Sequence, residues 1–112
     1  MLLRVRDGLR SLTVGQILYA ELSDRRLCCR LASGEVVQSV SLRESFREAA
    51  AELLRHPCFE MCGVSFAVNL NHVTGISKKA VELEGGLALP LSRAYREVFI
   101  RRWIDYSLER GR

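Results

Sequence analysis

Apolar and polar residues alternate in short runs along most of this chain, and the runs are separated by glycine, serine, aspartate and asparagine. A period of two bounded by turn residues is the signature of half-buried strands. Leu3-Arg4-Val5-Arg6 and Leu9 to Val14 flank Asp7-Gly8, which predicts an opening hairpin closed by a type I′ turn. After Gly15, Gln16 to Leu22 reads as a third strand and Ser23-Asp24-Arg25-Arg26 as a corner. Leu27 to Leu31 reads as a fourth strand, Ser33-Gly34 as a turn, and Glu35 to Val40 as a fifth strand.

The period then changes. Ser41-Leu42-Arg43-Glu44 fits a capping box, in which serine and glutamate each satisfy a free backbone N–H at a helix start. Leu42, Phe46, Ala49, Ala50, Leu53 and Leu54 follow at helical spacing, with arginine and glutamate on the opposite face. His56-Pro57 ends this helix, because the residue before proline is pushed out of the α region. Its expected role is to close one side of a sheet.

The stretch from Phe59 to Leu91 carries four short apolar runs. Phe59 to Asn69 is interrupted at Gly63 and closed by Asn69-Leu70-Asn71-His72. Val73 to Ile76, a Lys78-Lys79 corner, Ala80 to Leu83, Gly85-Gly86 and Leu87 to Leu91 follow. Gly-Gly between two alternating runs is a hairpin signal, since tight hairpin turns need positive φ. The block predicts one antiparallel meander whose polar corners form the working surface. From about residue 92 to 110 the spacing is helical again. Tyr95, Val98, Phe99, Arg102, Trp103 and Tyr106 lie along one stripe, a core or docking face, and Arg96, Arg101 and Arg110 lie off it. The expectation is one mostly-β (α+β) domain over residues 1–112, built of small antiparallel sheets with one internal capped helix and one C-terminal helix.

Composition narrows the partners. The 112 residues carry 17 Lys and Arg against 13 Asp and Glu, a net charge of +4, which is compatible with a polyanionic partner. Arginine supplies most of the positive charge, and its planar fork suits phosphates and base edges. No apolar run approaches the ~20 residues that cross a bilayer, and Met1 to Asp7 alternates charged and aliphatic residues unlike a secretion signal. No membrane insertion and a cytoplasmic location are therefore expected. Cys28, Cys29, Cys58 and Cys62 read as reduced cysteines; adjacent Cys28 and Cys29 on a strand point to opposite faces. His56, Cys58 and Cys62, with His72 as a fourth ligand, resemble a metal site, and the three-residue gap between Cys58 and Cys62 is zinc-like, but no second Cys pair or His pair completes the pattern, so no metal is expected.

Catalytic constellations are scarce. The chain has two histidines, no Gly-rich phosphate loop, no H-E-x-x-H and no G-x-S-x-G, so neither an enzyme nor a cofactor is expected. What remains is a set of polar and basic corners: Asp24-Arg25-Arg26, Gly63-Val64-Ser65, Ser77-Lys78-Lys79 and Ser92-Arg93. If they converge on one edge, they form a loop-borne reader for a groove.

Three ordered segments resemble the LytTR family of bacterial DNA-binding domains. Ile17-Leu18-Tyr19-Ala20-Glu21, followed by a corner and an arginine-bearing strand, is similar to the family's first strand pair. Phe59 to Asn69, with Ser65-Phe66-Ala67-Val68-Asn69, resembles its S-y-x-V-N signature, and Leu89-Pro90-Leu91-Ser92-Arg93 its closing P-v-S-R. The resemblance implies an elongated β fold whose loops enter successive major grooves of double-stranded DNA, and a role in transcription regulation. It also implies two copies on repeated half-sites, and a regulatory protein partner. Family members commonly follow a receiver domain, for which this chain has no room, so it resembles a stand-alone member or an excised C-terminal domain.

Carried over by position, Arg25 and Arg26 fall on the first reading loop and Arg93 on the last, with Arg25 and Arg93 as base readers. Ser65, Lys78, Lys79, Ser92 and Arg96 become positioning contacts, and Asn69 a turn residue that supports the fold. One departure stands out. The family's basic run before the signature serine, along the lines of R-x-H-R-S, is replaced here by Met61-Cys62-Gly63-Val64-Ser65, which removes phosphate-binding cations. A second expectation is therefore a protein-interaction module on the same fold, using Val64 or the Tyr95–Tyr106 stripe.

Overall fold

A computed structural model describes residues 1–110. Strands β1 (Leu2–Val5) and β2 (Gly8–Ser11) form the opening hairpin. β3 (Ile17–Ser23), β4 (Arg26–Leu31) and β5 (Val36–Gln38) follow as antiparallel neighbours. β6 (Phe59–Gly63) and β7 (Phe66–Asn69) add to the free side of β3, which completes a five-stranded sheet in the order β5-β4-β3-β7-β6. β8 (Val73–Ile76), β9 (Ala80–Leu83) and β10 (Leu87–Pro90) make a separate three-stranded sheet. Two one-turn helices, α1 (Phe46–Ala49) and α2 (Ala51–Leu54), lie between β5 and β6, and α3 (Arg93–Arg110) closes the described chain.

The five-stranded sheet is the middle layer, because its side chains alternate between two cores. Ala20, Leu27, Cys29, Val37, Phe59, Met61 and Ala67 pack with Leu3 and Leu12 of the opening segment and with Phe46, Ala50 and Leu53 of the short helices. On the other face Leu18, Cys62 and Val68 pack with Val81, Leu83 and Leu89 of the small sheet and with Phe99 of α3. A bulge between Ile17 and Tyr19 sends Ile17 to the first core and both Leu18 and Tyr19 to the second. The mostly-β expectation holds, and the molecule is elongated, 40 Å along its longest axis against 28 and 25 Å across.

Three local expectations are corrected. The run from Phe59 to Leu91 is not one meander but is divided between two sheets. Buried Asn69 causes the division: its side-chain amide donates to the Ile17 carbonyl at 3.0 Å, and its Oδ1 accepts from the Asn71 amide at 3.0 Å. That second bond caps a 3-10 turn at Leu70–His72, which breaks the ladder and carries the chain to the other layer. Asn69 is thus the fold-supporting turn residue its position suggested.

The helix start is displaced by four residues. Ser45 and Glu48 form the capping box, with Ser45 N donating to Glu48 Oε1 at 2.9 Å and Glu48 N to Ser45 Oγ at 3.3 Å. Ser41 cannot serve, because the chain around it is held extended. The amides of Ser39, Val40 and Leu42 donate to the carbonyls of Leu27, Arg4 and Arg25. The helix itself is two short pieces separated at Ala50, whose φ of −99° and ψ of 12° leave the α region.

The opening turn is not type I′ either. Val5 pairs with Gly8, so Arg6 and Asp7 form the turn, and the positive φ, +144°, falls on Gly8 alone. The two-residue geometry with both φ values positive occurs instead at the β3–β4 corner, where Asp24 (φ 51°) and Arg25 (φ 62°) lie between paired Ser23 and Arg26.

Candidate nucleic-acid interface

The basic corners converge through backbone hydrogen bonds between segments distant in sequence. The β3–β4 corner lies beside the β6–β7 corner, because β3 pairs with β7 and the Leu22 amide donates to the Ser65 carbonyl at 3.0 Å. The β6–β7 corner lies beside the start of α3, because the Ser92 amide donates to the Cys62 carbonyl at 2.9 Å. The start of α3 lies beside the β8–β9 corner. There the Leu91 amide donates to the Lys79 carbonyl at 2.9 Å, and Arg96 Nη1 donates to the carbonyls of Ser77 at 2.7 Å and Lys78 at 2.8 Å. Arg25, Arg26, Ser65, Ser92, Arg93, Arg96, Lys78 and Lys79 therefore follow one another along a single rim. The part of this rim that lies on the five-stranded sheet, from β4 to β6, spans three strand spacings, about 14 Å, and the start of α3 and the β8–β9 corner continue it beyond β6.

The side chains on the rim differ in freedom. Arg25, Lys78, Lys79, Ser92 and Arg93 are exposed, whereas Arg26, Ser65 and Arg96 are half-buried. Arg96, expected as a positioning contact, spends its guanidinium on bracing the Ser77–Lys79 turn. Arg25 is tied through its backbone to the segment before α1. Its carbonyl accepts from the Leu42 amide at 2.7 Å, and its Nε reaches the Leu42 carbonyl at 3.5 Å. These bonds strap the extended segment before α1 against the β3–β4 corner, and exposed Arg43 directly follows the residue bonded to Arg25. Sequence reading placed Arg43 on the outer face of a helix; the second S-x-x-E frame at Ser45 is the signal that would have freed it.

At the centre of the rim, Val64 and Ser65 form the tip of the β6–β7 hairpin, between paired Gly63 and Phe66. Val64 is 72% exposed. The tip carries no cation, as the sequence indicated, and the charge on either side comes from Arg25 and Arg93.

The Tyr95–Tyr106 stripe faces the body of the domain. Phe99 is fully buried, Arg102 donates to Glu60 Oε1 and to the Pro57 carbonyl at 3.0 Å each, and Tyr106 Oη donates to Asn71 Oδ1 at 3.0 Å. Val98 departs from the stripe and is 60% exposed. Arg102, an arginine on an otherwise apolar stripe, is explained by those two acceptors.

The residues with zinc-like spacing have other occupations. Cys62 is buried beneath α3, and His72 is held between two acceptors, Glu84 Oε1 at Nδ1 and the Gly15 carbonyl at Nε2, each 2.9 Å away. All four cysteines are free thiols. Burial pushes the thiols of Cys29 and Cys62 up to about 12. No helix of the described residues is long and apolar enough to cross a membrane.

No family model matches the sequence, and no curated protein matches it either. Among solved structures the chain is similar to the LytTr DNA-binding domain of a Bacillus cereus protein, with a TM-score of 0.71 and 20% sequence identity. The superposition covers 91% of this chain and 94% of that one.

Proposed function

Given that the chain has the LytTR fold, we propose that it is a sequence-specific DNA-binding regulator of transcription that reads the major groove through its rim of corners. The observation that supports this reading is that hydrogen bonds set the corners carrying Arg25, Arg93, Lys78 and Lys79, far apart in the chain, one beside the next. The Bacillus cereus domain with the same fold is a DNA-binding domain. Arg25 and Arg93 are the base readers, each forking onto a guanine edge. Arg26, Arg43, Lys78, Lys79, Ser65 and Ser92 contact phosphates and set the register, and Arg96 holds the lysine corner in place.

The reading extends to the domain as a whole. Residues 1–112 act as one DNA-binding domain in the cytoplasm, two copies occupy repeated half-sites, and a regulatory protein partner supplies the signal. No catalytic step is involved. The rival reading, a protein-interaction module, loses one of its two surfaces because the Tyr95–Tyr106 stripe packs against the body.

The test is selection from random duplexes followed by fluorescence anisotropy at two ionic strengths. Affinity should fall steeply with salt, and Arg93→Ala should erase the preference among sequences, a loss of about 1–3 kcal/mol of discrimination. Salt-insensitive binding, or unchanged selectivity in that variant, would refute the assignment.

A further inference from the structure

We propose that Val64 reads a thymine through its C5-methyl group, so that the half-site carries a thymine between the positions read by Arg25 and Arg93. This rests on the DNA-reading proposal above and specifies its target. Val64 occupies the tip of a two-residue hairpin at the middle of the rim, and at 72% it is the most exposed large hydrophobic residue among those described. The hairpin is held on both sides, by Leu22 N to Ser65 O at 3.0 Å and by Ser92 N to Cys62 O at 2.9 Å, so the tip is presented on a braced base.

The chemistry of the groove selects the partner. A valine side chain donates and accepts no hydrogen bonds, and on the major-groove edges of the four bases the apolar group is the methyl of thymine. An apolar tip set among guanine and phosphate edges would leave polar groups desolvated without partners, which is unfavourable. Against a thymine methyl the same tip buries apolar surface on both sides. Val64 lies on the β6–β7 corner, one strand spacing or about 5 Å across the β3–β7 pair from the β3–β4 corner that carries Arg25, so the thymine lies within roughly two base pairs, at ~3.4 Å each, of the position Arg25 reads.

The experiment starts from the duplex obtained by selection and replaces each thymine in turn with deoxyuridine, which removes the methyl and nothing else. One replacement should weaken wild-type binding about fourfold, the effect of one buried methyl-sized group. That same replacement should have a smaller effect on Val64→Ala, which keeps only one methyl, and Val64→Arg should bind duplexes more tightly in general while losing the methyl effect. Val64 is exposed, so both variants retain the core. If duplex binding is intact but no deoxyuridine substitution depends on Val64, the thymine assignment falls and the DNA-reading proposal stands. If the wild-type protein binds no duplex and instead Val64→Ala disrupts a protein complex, both fall together.

Discussion

The Arg96 guanidinium donates to the Lys78 carbonyl at 2.8 Å, and through the same nitrogen to the Ser77 carbonyl at 2.7 Å. A side chain from the first turn of α3 thus closes the β8–β9 corner and fixes Lys78 and Lys79 relative to Arg93. Charge-assisted bonds to backbone acceptors are among the stronger hydrogen bonds. Arg96→Ala should lower stability by about 1–2 kcal/mol in denaturant unfolding. It should weaken DNA binding indirectly, through a loosened lysine corner, with sequence preference retained. A variant as stable as wild type would show that the brace contributes nothing.

Arg25 sits at φ 62°, following Asp24 at φ 51°. Left-handed geometry is tolerated by aspartate and disfavoured for arginine, and glycine adopts it freely. Arg25→Gly should therefore stabilise the domain by about 0.5–1 kcal/mol, because it produces the Asp-Gly pair this hairpin geometry prefers. The same substitution removes the proposed base contact, so thermal stability should rise as sequence selectivity falls. A drop in stability would show that the bonds between Arg25 and Leu42 outweigh the backbone strain.

Local features of the fold were readable from the residues alone. Gly85-Gly86 marks the β9–β10 turn, with φ values of 81° and 77°, and the interruption read at Gly63 falls where β6 ends. The reading failed where a distant segment makes the choice. Two S-x-x-E frames begin at Ser41 and Ser45, and only the bonds to Arg4, Arg25 and Leu27 decide between them. The division of the Phe59–Leu91 run depends on Asn69 reaching Ile17, 52 positions away. The corners of the candidate site were identifiable as polar turns. Their adjacency was not, because it is set by Leu22 meeting Ser65 and Ser92 meeting Cys62 across the sheet.

The cysteines should divide by burial when challenged with a thiol reagent. Cys29 and Cys62 are fully buried, with thiols pushed up to about 12, and Cys28 is nearly covered. Cys58 is half-exposed, and burial raises its thiol less. The thiolate is the reactive form, so alkylation at pH 8 should label Cys58 first and leave Cys29 and Cys62 untouched until the protein unfolds. Equal labelling of all four in native conditions would contradict the packing of both cores.

His72 links layers that no strand pairing joins: Nδ1 faces Glu84 in the β9–β10 turn, and Nε2 faces the Gly15 carbonyl ahead of β3. Both partners only accept, so the ring satisfies both when doubly protonated. Burial opposes that charge. It is outweighed by the Glu84 hydrogen bond, the Gly15 carbonyl and the Glu84 charge, and the imidazole is held above its ordinary 6.5. A folded-state pKa above the unfolded one contributes stability that is fully present below the unfolded value and is lost as pH rises through the folded value. Stability should accordingly decline as pH rises above about 6.5, with the loss complete once the folded imidazole has titrated. His72→Gln, which cannot carry the charge, should flatten that decline while leaving stability at pH values beyond it close to wild type. Denaturant unfolding across this range checks both, and an unchanged pH profile in the variant would assign the dependence to another group.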